Sequence, residues 1–301
     1  MLRIILLSII LSLTSCSLIV NRVADSLSSP SSSGNTFTSD DDPELIADAL
    51  PFALKMYETL LQNAPDNANL HLTTGSGFIS YANAFVETPA MMLSDEEFET
   101  KQVQYLRAKK LYLRGRDYIL KGLNIKHRGF IEYLNESDYA NAFLKFSRED
   151  VPFLYWAAAG WMAAYSVDSF DFELSTTIKH AVSMMNEALR LDETYDRGAI
   201  HDFFISYYGA LPESMGGSLK KAREHFARAV ELSGGTKVSP YVSLATTVSI
   251  KTQNHQEFSK LLNKALLIDV NQNPDNRLAN IISQRKARWY LDHKEDKFLL
   301  E

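Results

Sequence analysis

The side chains of this chain that could do chemistry are few, and their spacing argues against most of it. In the stretch DVNQNPDNRLAN (269–280), Asp269, Asn271, Asn273 and Asp275 stand at positions 1, 3, 5 and 7, the alternation with which an EF-hand loop surrounds calcium. Such a loop needs glycine at position 6 and a bidentate glutamate at position 12, where this chain has Pro274 and Asn280, with Arg277 at position 9. The stretch therefore reads as a capped connection between helices. The seven histidines include no HExxH pair and no cysteine partner. Glu224 and His225 are neighbours about 100° apart on a helix and read as solvent-facing or capping residues. No metal and no cofactor is expected.

SMGGSLKK (214–221) brings Gly216, Gly217 and a lysine to a helix start, where an anion could meet free N–H groups at Ser218. A Walker loop sets its lysine directly after a glycine and before Ser or Thr, so this is read instead as a tight turn with Ser218 as N-cap. Ser218 and Lys221 keep a Ser-x-x-Lys spacing, and Ser76 lies between Gly75 and Gly77, but neither has the rest of a nucleophile–base–orienter set. The one enzyme reading left is a glycan-cleaving protein with Glu213 as its acid, which requires a cleft and a raised pKa. A non-catalytic protein is expected.

YWAAAGWMAAY (155–165) poses the next question, because its aromatics stand among alanines in a polar region. Ser147, Arg148, Glu149, Asp150 and Pro152 precede it and Asp168 and Asp171 follow it, whereas a membrane span needs about 20 apolar residues in succession. It is a helix of a folded body. A chain of 301 residues with 46% apolar residues can bury a sizeable core, and a net charge of -6 with no basic stripe argues against a nucleic-acid partner.

At the N-terminus Arg3 precedes the apolar run 4–13, which has the length of a secretory signal core. The run ends in LTSC, Leu13-Thr14-Ser15-Cys16, which resembles the bacterial lipobox. Residues 1–15 are then expected to be a lipoprotein signal peptide and Cys16, the only cysteine, the lipidated first residue of the mature chain. Acyl chains, worth about 0.8 kcal/mol per buried CH₂, would anchor it durably to a membrane. Ser17 in place of an aspartate favours the outer membrane by analogy with known sorting rules. Ser-rich 26–42 cannot offset its chain entropy by burial, so 16–42 is expected to be a flexible tether. Asp42, Pro43 and Glu44 make a helix start, and the folded domain is expected over 43–301.

From Pro43 onward period-3.6 patterning dominates, and the fold class expected is all-α. The second-helix half of a tetratricopeptide (TPR) repeat, a small residue, then a large one four on, then a small one three further, recurs along the chain. Ala222, Phe226 and Ala229 match it closely; Ala181, Met185 and Ala188 keep its offsets; Phe258, Leu262 and Ala265 form a third copy. Gly115, Ile119 and Gly122 form a weaker one, and Ala53, Tyr57 and Leu60 precede Pro65. Small residues let the paired helix approach while the large one fills the gap. Uneven spacing points to a TPR-like solenoid closed into a compact body, with 277–291 as its capping helix.

PFALKMYETLLQNAPDN (51–67), YANAFVE (81–87), LYWAAAGW (154–161), YDRGAIHDF (195–203), LPESMGGSLKKAREHFARAVELS (211–233) and NRLANIISQRKARW (276–289) together resemble the TatT family. These are T-component lipoproteins of TRAP (tripartite ATP-independent periplasmic) transport. The resemblance implies a periplasmic α-helical lipoprotein that partners a TRAP solute-binding protein and handles a small ligand without catalysis, and it is compatible with a homo-oligomer. A TPR scaffold gripping an envelope protein is the alternative.

In the TPR register Trp156, Ala159, Gly160 and Ala163 meet the paired helix, while Trp161 and Tyr165 fall where TPR proteins face their concave surface. The same offsets in the next first helix select Ile200, Phe204, Tyr207 and Tyr208. These six are the expected ligand- or partner-binding wall, with rings for area and hydroxyls for orientation; the alternative is that they are core. Asp202 and Ser206 fall at packing positions of that helix, which leaves its register open.

Overall fold

A computed structural model describes residues 34–299 of the chain. Cys16 and the signal segment lie outside the described residues. The described residues are all-helical, with no strand among them.

Ten helices build the body: α1 (Pro43–Asn63), α2 (Ala68–Ala82), α3 (Phe98–Lys126), α4 (Val151–Val167), α5 (Phe172–Leu191), α6 (Ala199–Ala210), α7 (Leu219–Ser233), α8 (Ser239–Leu244), α9 (His255–Leu266) and α10 (Arg277–Asp292). Their starts are written in local chemistry. The side chains of Asp42, Asn67, Asp171, Ser218 and Asn254 accept hydrogen bonds from backbone N–H groups of the first turns of α1, α2, α5, α7 and α9. Each cap satisfies a donor that the helix itself leaves free. Short π turns, Asn83–Glu87 and Ala245–Ser249, continue α2 and α8.

Neighbours in sequence are neighbours in space, with α2 on α3, α3 on α4, α4 on α5, α6 on α7 and α9 on α10. Glycine sets the closest approach. A Cβ on Gly75 would lie 2.5 Å from the carbonyl oxygen of Gly115, so α2 and α3 touch backbone to backbone. The small-large-small stripes point inward: Ala181, Met185, Ala188, Ala222, Ala229, Phe258, Leu262 and Ala265 are all buried, and Phe226 packs half-buried on the same cores.

The chain's two ends meet. Leu278 and Ile282 of α10 pack with Ile46 of α1 and with Leu50, Ala84 and Phe85, while α10 also lies against α8 and α9. The side chain of Asn280 accepts from Val238 N (3.0 Å) and donates to Thr236 O (2.9 Å), tying α10 to the start of α8. The end of the expected tether is structured. Gly34–Thr38 is helical, Phe37 joins the Ile46–Leu278 cluster, and Arg277 donates to the Ser39 carbonyl (3.0 Å).

Candidate functional site: an aromatic and ionisable interior

The six residues expected to form one wall divide in the structure. Trp161 is 5% exposed, Ile200 0% and Phe204 1%, which places all three in the core. The Trp161 indole N–H donates to Thr177 Oγ1 (3.2 Å) on α5, and its ring packs by His180 with the Arg116 guanidinium 4.5 Å above it. Tyr165, Tyr207 and Tyr208 are half-buried. Tyr208 stacks on Phe204 (5.6 Å) and on His225 (5.5 Å), and the Lys221 ammonium lies over its ring (5.0 Å). This stack fills the seam between α6 and α7. His225, expected to face solvent or cap, is part of it, and its Nδ1 lies 2.8 Å from Nδ1 of His201. Burial, His201 and Lys221 together hold the His225 pKa down at about 4.

Of the two tryptophans, Trp161 lies in the core, and Trp156 is half-buried at its edge. Along α4, Val151, Phe153, Leu154, Ala157, Ala158, Gly160, Trp161 and Ala164 are buried, so most of its circumference is covered by α2, α3 and α5. The open stripe is Tyr155, Trp156, Ala159, Met162 and Ala163. A helix apolar nearly all round carries little amphipathic signal, and the stripe facing the paired helix cannot be read from periodicity in such a segment.

Tyr155 leads to the interior. Its ring lies 5.2 Å from that of Tyr195 and 5.5 Å from that of Trp156. Asp202 on α6 accepts from Ser243 Oγ (2.7 Å) on α8. On the π turn after α2, Glu87 accepts the Tyr112 hydroxyl. On α10, Lys286 and Tyr290 continue the stripe Leu278–Ile282 by successive turns. Since that stripe meets Ala84 and Phe85, its continuation runs toward Glu87, one turn further along.

Tyr155, Tyr195, Asp202, Lys286 and Tyr290 all keep part of their surface accessible. Burial nonetheless dominates the ionisation of every one. It raises the phenol pKa of Tyr155 and of Tyr195 and pushes that of Tyr290 to about 12. It raises the Asp202 carboxyl against the Ser239 and Ser243 hydroxyls, and lowers the Lys286 ammonium against the fields of Glu87 and Asp202. Partial exposure together with strong desolvation sets these five side chains back from the outer surface. Two outward grooves of about 600 and 590 Å³, one lined by Arg223, Phe226, Leu261 and Lys264 and one by Lys55, Arg114, Tyr118 and Lys121, share none of these residues.

The turn that enters α6 shapes this interior. Asp196 (φ 39°, ψ 51°), Arg197 (φ 50°, ψ 45°) and Gly198 (φ 90°) are consecutive left-handed residues. Only glycine adopts this region without strain. Lys237, itself buried, holds the turn: its Nζ lies 2.8 Å from the Asp196 carboxylate and also donates to the Asp196 carbonyl.

Sequence reasoning missed Tyr155, Lys286 and Tyr290. Asp202 did carry a signal, as a charge on a packing stripe, and Lys286 carried the same one, following Leu278 and Ile282 at four-residue intervals. The other motifs resolve simply. Gly216 (φ 93°) and Gly217 make the tight turn, Ser218 caps α7, and Glu213 stands exposed on a 3-10 turn.

Fold and site together define an all-helical protein whose two ends pack on one another, and none of its described helices is long and apolar enough to cross a membrane. Residues 39–298 match the family described as TAtT, TRAP transporter T-component, and the chain belongs to that family. It is also similar to a protein of Treponema pallidum (strain Nichols) described as uncharacterized, at 36% identity over 266 residues, covering 87% of this chain and 82% of the relative.

Proposed function

We propose that this chain is the ligand-handling, non-catalytic lipoprotein of a TRAP-type transport system, in which the interior bounded by Tyr155, Tyr195, Asp202, Lys286 and Tyr290 receives a small amphipathic molecule. The observation that carries this reading is the pairing of accessible surface with strong desolvation at those five residues. Tyrosine rings offer large rigid area at little entropic cost, and their hydroxyls orient a polar end. Family membership supports a place beside a TRAP solute-binding protein.

In this reading the helices are TPR-like pairs closed into a compact solenoid with α10 as its cap. Cys16 carries the lipid that holds the protein on the periplasmic side of a membrane, the outer one being favoured, and a homo-oligomer is compatible with it. The test is to purify the full lipidated chain from its membrane, extract what it holds, and identify it by mass spectrometry, beside co-purification with the system's solute-binding protein. A bound small molecule in the wild type, reduced in Tyr155→Ala, is the expected result. Equal recovery from both would remove the interior from consideration.

A further inference from the structure

The outward groove of about 590 Å³ opens where the end of α1 and the start of α2 meet the second half of α3, and three cations share its wall with a single acid. The cations are Lys55, Arg114 and Lys121; the acid is Glu58. Glu58 is buried, at 8% exposed, and both of its oxygens are engaged. Lys55 Nζ donates to Oε2 (2.5 Å), the Tyr118 hydroxyl donates to Oε1 (2.8 Å), and Arg114 Nη2 reaches that same oxygen. Burial alone would raise the Glu58 carboxyl, but Lys55, Tyr118 and Arg114 outweigh it and hold the pKa below its usual value. Glu58 is thus an anion with no proton to offer.

The same contacts fix the donors around it. The Arg114 guanidinium lies 4.7 Å over the Phe78 ring, which stacks in turn on Tyr118 at 6.1 Å. A guanidinium carries five N–H donors in a rigid fork and an ammonium three, so one carboxylate leaves most of them open. Lys121, exposed on the turn after Tyr118, has neither a hydrogen bond nor an ion pair among the described residues. His71 brings no charge to the wall: its Nε2 lies 2.9 Å from the Pro65 carbonyl oxygen, and burial, with Lys121 near, lowers its pKa. Asp66 acts on His71 but is not part of the wall. The groove is rich in donors, poor in free acceptors, and positive by two charges.

We propose that this groove binds a phosphate monoester group, seated on the Arg114 fork between the Lys55 and Lys121 ammonium groups. Such a group carries close to two negative charges and three strong acceptor oxygens, and both numbers match what the wall leaves unmet. A carboxylate, with one charge and two oxygens, matches neither. The site lies apart from the interior and does not depend on what the interior holds. A soluble phosphate ester and the headgroup of a phosphomonoester lipid present the same chemistry here.

The full lipidated chain in phosphatidylcholine nanodiscs, titrated calorimetrically with glycerol 3-phosphate and with glycerate against empty nanodiscs as blank, reads the class. The wild type should bind the phosphate roughly tenfold more tightly than the carboxylate, the increment of one further hydrogen bond between charged groups. Lys121→Met leaves every contact of Glu58 in place and should weaken the phosphate about tenfold. Lys121→Gln serves if the methionine variant fails to fold. Lys220→Met, the same charge change on an exposed residue of α7, should alter nothing. Nanodiscs containing phosphatidic acid, beside others of equal charge containing phosphatidylglycerol, separate the sources. Loss of glycerol 3-phosphate binding with phosphatidic acid alone names the lipid headgroup as occupant; binding that is kept, or that falls equally in both, names the soluble ester. No phosphate binding by the wild type, glycerate bound as tightly, or an affinity that Lys121→Met changes no more than Lys220→Met would overturn the proposal.

Discussion

Glu44, in the first turn of α1, and Arg285, near the end of α10, meet in a two-armed ion pair across 241 residues of chain, with Arg285 Nη2 at 3.1 Å from Glu44 Oε2. The pair marks where the succession of helices returns to its start, and Arg285 holds the Glu44 carboxyl below its usual pKa. Both side chains are largely exposed, and exposed pairs add little to stability. The closure is made by the apolar contact beneath. Ile282→Ala should cost about 2–4 kcal/mol as a buried truncation, whereas Glu44→Gln should leave the urea midpoint within error. A larger loss from Glu44→Gln than from Ile282→Ala would reverse this ranking.

Trp161 and Trp156 give a second contrast. Trp161, 5% exposed and bonded to Thr177, should lose about 3–5 kcal/mol on truncation to alanine, and half-buried Trp156 distinctly less. Denaturant titration of the two variants decides it; equal losses would contradict the division of α4 into covered and open stripes.

The same two residues show what could be read from the chain and what could not. In α7, Ala222 and Ala229 stand out because the rest of KKAREHFARAVEL is charged or polar, and both are buried as their spacing requires. In α4 nearly every residue is apolar, so no polar face anchors the register, and Trp161, expected on the open side, lies in the core. Ile200 and Phe204 were drawn into the expected wall by the same offsets and lie in the core. Helix starts were legible, since Asp42 with Pro43 and Ser218 after two glycines are local signals. Lys286 was not, because its meaning depends on which distant helices enclose it.

Acid should weaken the fold through the seam between α6 and α7. A histidine whose folded pKa lies below its unfolded value takes up its proton more readily once unfolded, so its stabilisation is complete above about 6.5 and is lost as pH falls toward the folded value. For His225 that value is about 4; His71, His180 and His201 are also lowered by burial. Thermal midpoints should fall between pH 6.5 and 4.5, a window above the ordinary glutamate pKa of 4.5. His225→Phe, which keeps a ring against Phe204 and Tyr208, should flatten that slope, removing about 1–3 kcal/mol of the loss across the window. An unchanged slope in the variant would assign the acid sensitivity elsewhere.

The turn at Asp196 offers the last test. Two non-glycine residues in the left-handed region cost about 1–2 kcal/mol each, and the Lys237 ammonium offsets that cost by bonding both the carboxylate and the carbonyl of Asp196. Gly198 cannot share the work, because a Cβ there would sit 3.2 Å from Ala229 Cα at the α6–α7 contact. Arg197→Gly, exposed and free to relax, should leave stability unchanged or raise it by up to about 1 kcal/mol. Lys237→Met should cost about 1–3 kcal/mol, since the Asp196 carbonyl and carboxylate both lose a charged donor. The two sites act on one turn, so the loss from Lys237→Met should shrink in an Asp196→Gly background, where the strain and the carboxylate are gone. The double-mutant cycle by urea denaturation reads that coupling directly. Strict additivity would mean that the ion pair with the Asp196 carboxylate adds nothing, and that Lys237 acts through the backbone carbonyl and packing.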